Sequence, residues 1–383
     1  MEISKKIFNW IKKEIVFFII LCLTIFSMFF VPPSAQYLDY IDWNTIFILF
    51  SLMAVVAGFS ECGIFTRLGE KLCSSVRKEK KLYGILIFLC FFTSMLITND
   101  VALLTFVPFT IALLGTKNQK QLIWIIVLQT MAANLGSMLT PIGNPQNLFL
   151  FSQMNLNLQT FLLTMFPLTF ASAIFLFLAI PIIPTSPLEL DNNNIKTGGA
   201  ITKNTNRFTP WKKTFCFFVM FLLSVLTVLH VLSSWITALI VLVWIFIIDK
   251  KILKNVDYML LLTFIGFFIF TGNIASIPDI HNFLQKTISS KEFFSGIIAS
   301  QIISNVPATL MLFPFSTNLK DLLLGVNLGG LGTLVGSLAS LISFKLYVKN
   351  NNSKPGKYLF IFTTLNGIFL ALLIVTKILL PNL

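Results

Sequence analysis

Residues 121–188 contain no Asp, Glu, Lys or Arg. A soluble domain carries about a quarter charged residues, so a run of this length points to a hydrocarbon surrounding rather than water. Further charge-free runs cover 15–38, 43–60, 214–248, 258–278, 322–344 and 358–376. Many of them reach the ~20 residues that an α-helix needs to cross a bilayer. Over its 383 residues the chain is 56% hydrophobic and 11% charged. The expected class is an all-α polytopic membrane protein.

The net charge of +13 does not indicate a nucleic-acid partner, because the basic residues stand in short loops between apolar runs, where they act as topology signals. Lys5, Lys6, Lys12 and Lys13 place the N-terminus in the cytoplasm. The first apolar run ends in Val31-Pro32-Pro33 without a small-residue cleavage site, which reads as an uncleaved helix. The loop after it has Asp39 and Asp42 but no Lys or Arg, and lies outside. Arg67 to Lys81 form an amphipathic cytoplasmic arm. The apolar run 82–116 has basic residues at both ends. One crossing would leave a basic cluster outside, so 82–116 is expected to be a re-entrant helical hairpin. Residues 121–155 hold Gly136, Pro141, Gly143 and Pro145, and proline interrupts a helix, so a transmembrane helix broken near 140–145 is expected there.

The second half repeats this order, with a hairpin over 292–317 and a broken helix over 320–346. In one ungapped window Asn134-Leu135-Gly136 aligns with Asn327-Leu328-Gly329, Thr140 with Thr333, and Gly143 with Gly336. Around the hairpin tips Ser94 aligns with Ser300, Thr98-Asn99 with Ser304-Asn305, and Ala102 with Ala308. The predicted organisation is a first repeat over 1–184, a cytoplasmic linker over 185–212 and a second repeat over 213–383. An odd number of crossings separates equivalent helices, so the repeats are inverted. The full count is nine crossings, with the N-terminus inside and the C-terminus outside a cytoplasmic (plasma) membrane. All but four of the 28 Lys and Arg then face the cytoplasm, the exceptions being Lys286, Lys291, Lys320 and Lys377.

Inverted repeats with helices broken at the midplane are a signature of secondary transporters. Polar groups at that depth persist where they line a cavity or lie buried in protein. Half-helix ends expose unpaired N–H and C=O groups, which attract anions and cations respectively. Ser94, Thr98, Asn99 and Asp100, facing Gly143, Asn144, Pro145 and Asn147, form one half-site. Ser300, Ser304 and Asn305, facing Thr333, Gly336 and Ser337, form the other. Hydroxyl, amide and carbonyl oxygens suit Na⁺ or a small oxyanion, and Ser94, Thr98, Asn99 and Gly143 form a candidate Na⁺ site. Asp100 is the only carboxylate at the centre of a predicted membrane segment. It either binds a cation or takes up a proton as the coupling step, whereas Val306 stands at the equivalent position of the second repeat. Glu61, Asp249 and Asp257 stand near helix ends and read as solvated, and His230 and His281 read as structural. Cys22, Cys62, Cys73, Cys90 and Cys216 show neither C-x-x-C nor metal-ligand spacing.

Thr98-Asn99-Asp100, Ser304-Asn305-Val306 and Gly143-Asn144-Pro145-Gln146-Asn147 resemble the tip and helix-break motifs of the ion transporter superfamily, in its citrate-transporter-like and arsenite-permease-like branch. The resemblance covers nearly the whole chain. It implies an elevator-like mechanism, often in a homodimer, for a small anion or metalloid oxyanion coupled to Na⁺ or H⁺. An ionised Asp100 would repel a di- or tricarboxylate, and an Asn-Asp pair is closer to the arsenite-permease type. A cation/proton antiporter of the same superfamily is the main alternative. A channel would need a continuous pore. No His-Glu-x-x-His or Gly-x-Ser-x-Gly motif supports an enzyme. No cofactor is expected beyond the coupling ion, and the expected partners are the transported solute and membrane lipid.

Overall fold

A computed structural model describes residues 14–73, 76, 78–114, 119–154, 156–185, 211–350 and 353–380. Most of the linker between the halves and the basic N-terminal segment lie outside the described residues. Among those described, the secondary structure is helical throughout, with no strand. Five helices are long and apolar enough to cross a membrane: Trp43–Glu61, Glu79–Ile97, Leu158–Ile182, Tyr258–Ala275 and Pro355–Leu379.

The first half runs α1 (Ile15–Ser27), α2 (Trp43–Glu61), α3 (Ile64–Cys73), α4 (Glu79–Ile97), α5 (Asn99–Leu114), α6 (Gln119–Ser137), α7 (Pro145–Met154) and α8 (Leu158–Ala179). Helix α1 stops at Ser27, short of the end of its apolar run, and the residues that follow form turns before Pro32 and Pro33, which cannot donate to a helix. The second half runs α9 (Trp211–Val228), α10 (Ser234–Asp249), α11 (Tyr258–Ala275), α12 (Pro278–Ile288), α13 (Glu292–Ile303), α14 (Asn305–Leu312), α15 (Leu319–Leu328), α16 (Leu338–Val348) and α17 (Pro355–Leu379).

Local chemistry sets several helix starts. Asp42, Asn157, Asp257 and Asn318 each accept a hydrogen bond from the backbone N–H three residues on, at the first turns of α2, α8, α11 and α15. Such side chains satisfy donors that the first turn leaves unpaired. At α7, Asn144 accepts from Asn147 N–H at 2.9 Å and Pro145 occupies the first helical position, where its fixed φ fits and its missing N–H costs nothing.

The halves interlock reciprocally. Helix α1 packs on α11 while α10 packs on α2, and α5 packs on α16 while α14 packs on α7. Within each half the two hairpin legs pack on each other, and the first leg packs on the broken helix (α4 on α6, α13 on α15). Both of the latter contacts turn on glycine. A methyl group at Gly136 would overlap the Phe91 carbonyl and crowd Ser94 Oγ, and one at Gly329 would overlap Ser300. Small residues at such crossings let backbones approach closely, which is how helices associate in lipid. The main apolar core surrounds these helices, with Leu86, Phe106, Ile126, Leu323 and Leu324 fully enclosed.

Candidate functional site

The hairpin legs meet at Thr98 and at Ser304. Thr98 has φ 71° and ψ 150°, and Ser304 has φ 76° and ψ 153°. Few non-glycine residues adopt such values, and a β-branched residue there is an outlier. Strain of this kind costs about 1–3 kcal/mol and concentrates at ligand clamps and switch regions. The next residue closes each tip the same way. Asn99 Oδ1 accepts from Asp100 N–H at 3.0 Å, and Asn305 Oδ1 accepts from Val306 N–H at 2.9 Å. Asn99 N–H also donates to the Gly143 carbonyl at 3.1 Å, tying the first tip to the first helix break.

The breaks, residues 138–144 and 329–337, lie against each other through amide side chains. Asn134 Nδ2 reaches the Gly330 carbonyl and Ser340 Oγ, both at 3.3 Å. Asn134 Oδ1 accepts from Asn99 Nδ2 at 3.0 Å and from Ser337 Oγ at 3.1 Å. From the other half, Asn327 Oδ1 accepts from Asn144 Nδ2 at 3.2 Å, and Asn327 Nδ2 donates to Asn147 Oδ1 at 2.6 Å. In the ungapped window Asn134 is equivalent to Asn327, Asn144 to Ser337, and Asn147 to Ser340. Each asparagine of one half therefore bonds the two positions in the other half that its own counterpart presents. All six residues are 5% exposed or less, where only protein partners can satisfy their polar atoms.

A cavity of about 330 Å³ ends on this assembly. Thr98, Asp100, Val101, Asn144 and Pro145 form its inner wall, α2 supplies Leu52, Met53, Val56 and Glu61, and Asn255 and Asp257 come from the turn before α11. Its lining contains three carboxylates, Glu61, Asp100 and Asp257, and no Lys, Arg or His. A much smaller gap lies beyond Asp100, walled by Asn99, Pro145, Gln146, Asn305, Val306 and Ser337. Asp100 and Pro145 border both spaces.

The predicted residues therefore divide. Thr98, Asp100, Asn144 and Pro145 face the cavity, and Asn99, Asn305 and Ser337 face the gap. Asn147 is fully buried, donating to the carbonyls of Ser137, Met138 and Thr140 and holding the first break together. Ser94 and Ser300 are fully buried, donate to carbonyls of their own helices, Phe91 and Gly296, and pack against the glycine crossings. Gly143 offers its carbonyl to Asn99, while Thr333 and Gly336 shape the second break. Ser304 Oγ is buried with no partner.

Glu61 and Asp257 are exposed at helix ends, as expected, and they also line the cavity, with Asp257 capping α11. Asp249 does sit at a helix end, partly exposed near Lys213. His230 stacks on Phe151 and His281 lies against Phe315. Among the described residues, no group of His, Cys, Asp and Glu is arranged to hold a metal ion. Asn134 and Asn327 escape a search for tip motifs, although their place in the repeated Asn-Leu-Gly gave a signal.

A model of the CitMHS family, described as citrate transporter, matches residues 6–321. The chain belongs to the CitMHS family. It is 34% identical over 323 residues to an uncharacterized transporter of Methanocaldococcus jannaschii, covering 84% of this chain and 85% of that protein. It is 33% identical over 334 residues to the inner membrane protein YbiR of Escherichia coli, covering 83% and 84%. A shorter likeness, 31% over 127 residues, links 33% of this chain to 26% of the silicon efflux transporter LSI3 of rice, Oryza sativa subsp. japonica. This member of the family is thus a multi-pass membrane transporter and not an enzyme.

Proposed function

We propose that the protein is a secondary active transporter for a small hydroxylated oxyacid, of the metalloid type, carried uncharged or as a monoanion and coupled to H⁺ or Na⁺ through Asp100. The observation that carries this reading is the composition of the cavity, whose lining holds three carboxylates, no cationic side chain and a strained residue of the first tip, Thr98. A solute carboxylate ~4 Å from an ionised carboxylate costs about 4 kcal/mol at an effective dielectric constant of ~20. Citrate would incur that cost repeatedly, while a neutral hydroxide would not and could bond the tip through its hydroxyl groups. The partial likeness to a silicon efflux transporter agrees in chemical class.

In this reading the two halves are inverted repeats related by the reciprocal asparagine contacts. The hairpins and broken helices, α4–α7 and α13–α16, move together against the remaining helices in an elevator-like cycle, in a homodimer of the cytoplasmic membrane with the N-terminus inside. The end of the cavity marked by Glu61, Asn255 and Asp257 faces the cytoplasm. The same carboxylates also favour a second reading, exchange of a cation for protons without another solute.

Uptake into proteoliposomes tests both readings. Arsenite, antimonite, silicate and citrate are offered under an imposed pH or Na⁺ gradient, with the full-length protein and with Asp100→Asn. Gradient-driven uptake of an oxyacid, lost in Asp100→Asn while the melting profile is kept, is the expected result. Normal coupled uptake by Asp100→Asn would sink the role of Asp100. Cation–proton exchange with every oxyacid excluded would select the second reading.

A further inference from the structure

The small gap beyond Asp100 is a meeting point of helix starts. All but one of its lining residues belong to the first turn or the cap of α5, α7, α14 or α16, the exception being Leu260. Helices α5 and α14 are the second legs of the two hairpins, and α7 and α16 are the far segments of the two broken helices. The gap therefore lies between equivalent pieces of the two halves. A helix start leaves N–H groups unpaired. It carries up to about half a positive charge, which draws an anion. Four such ends converge here.

Their capping is incomplete. Ser304 and Ser337 stand at the caps of α14 and α16 and make no capping hydrogen bond. Ser337 Oγ is committed to Asn134 Oδ1, and Ser304 Oγ is buried with no partner. No Lys, Arg or His lines the gap, and Asp100 is its only charged residue. Val306, which aligns with Asp100 in the second half, borders the same gap. One carboxylate thus faces four positive helix ends. The space left beside it is about 10 Å³, the room of one water molecule. Gln146 also lines this space, is 2% exposed, and has an Oε1 without a donor.

We propose that the meeting point of the four helix starts is an anion site, and that the Asp100 carboxylate is its tethered occupant. While that charge is in place a free monoanion is excluded. The solute has to arrive uncharged, with O–H groups that Asp100 and Gln146 Oε1 can accept. This selection of a neutral oxyacid rests on the transporter reading, whereas the anion site itself can be measured without transport. A short neutral side chain at position 100 opens the gap to a free ion of carboxylate size. A carboxylate offered from position 306 serves in its place.

The test is chemical rescue, read as the melting temperature of the full-length protein in detergent. Asp100→Ala removes the carboxylate and leaves a space of its size, and formate is the free ion that matches it. Sodium formate is titrated against sodium gluconate, an anion too large for that space, at constant ionic strength and pH. Asp100→Ala should melt lower than wild type in gluconate and regain stability as formate rises, by mass action on the folded state. Wild type should stay flat, and so should Asp100→Asn, whose side chain fills the space. A flat Asp100→Ala, or a formate response of the same size in wild type, overturns the proposal. Should Asp100→Ala fail to fold, the exchange of Asp100→Val with Val306→Asp decides. Each single variant should melt below wild type, the first lacking the anion and the second holding two in one gap, and the double variant should recover most of the loss. A double variant whose loss equals the sum of the two single losses overturns the proposal. Formate rescue in a protein that moves no oxyacid would leave the anion site standing and defeat the transporter reading alone. Oxyacid uptake without formate rescue would defeat this inference alone.

Discussion

Replacing Asn327 by alanine probes the contact on which the two halves depend. The side chain makes three hydrogen bonds, to Asn144, to Asn147 and to the Leu323 carbonyl of its own helix. The Leu323 carbonyl also accepts within the helix, so little is lost there. Each of the two interhelical bonds is worth about 0.6 kcal/mol by the average measured in a membrane protein. Asn144 Nδ2 retains Ser137 Oγ at 3.3 Å, but Asn147 Oδ1 loses the amide donor that satisfies it, in a residue that is 0% exposed. An orphaned buried polar atom costs about 1–3 kcal/mol. The expected destabilisation of Asn327→Ala is therefore ~2–4 kcal/mol. Ser340→Ala removes one bond from Asn134 Nδ2, which keeps the Gly330 carbonyl, and should cost about 0.6 kcal/mol. Equilibrium unfolding in mixed detergent–SDS micelles, followed by tryptophan fluorescence, measures both. Equal costs for the two variants, or an Asn327→Ala cost under ~1 kcal/mol, would refute the idea that this network is a satisfied, protein-enclosed unit.

Thr98→Gly should melt at the same temperature or higher, because relief of about 1–3 kcal/mol of strain exceeds or offsets the ~0.5–1 kcal/mol entropic penalty of glycine; its uptake should fall, and a variant that is both less stable and fully active would contradict the strain argument. Gly136→Ala should cost at least ~1–3 kcal/mol, since the overlapping atom is a backbone carbonyl that cannot turn away. The control is Gly367→Ala in α17, where the methyl meets nothing within 4 Å and better helix propensity should stabilise by about 0.5–1 kcal/mol; thermal denaturation compares them. Asp257→Asn keeps the cap on α11 while removing one of the cavity's three carboxylates, so citrate should inhibit oxyacid uptake about tenfold more strongly, equivalent to ~1.4 kcal/mol of relieved repulsion. An unchanged inhibition constant would show that the cavity carboxylates do not select against anions.

The helical class and the places where helices stop are legible in the sequence because lipid imposes them. Charge-free runs long enough to cross, interrupted by Pro141, Gly143 and Pro145 or by Thr98-Asn99-Asp100, leave few alternatives once every backbone group must find a partner. Half of the site is legible for the same reason, since a polar residue in such a run needs a cavity or a protein neighbour. The rest depends on which neighbour it finds. Ser94 and Ser300 look like ligands in sequence, yet their hydroxyl groups are satisfied one turn back in their own helices. Glu61 and Asp257 are the exposed helix ends they look like, but nothing along the chain says that the end of α2 and the start of α11 share a cavity with Asp100. Gln301, whose amide spans the second break, is invisible for a similar reason. Its four bonds reach residues 297, 329, 331 and 333, and only the fold brings the last three to it.

The reciprocal asparagine contacts also bear on how the protein is made. Asn144 and its partner Asn327 lie 183 residues apart. At ~5–20 residues per second a ribosome takes about 10–40 s to cover that interval. Throughout it, the newly inserted first half holds the amides of Asn134, Asn144 and Asn147 without the groups that complete them, in a bilayer that offers none. The first half is thus a nascent-chain client that must be sheltered, by the insertion machinery or by temporary pairing of its own asparagines, until the second half arrives.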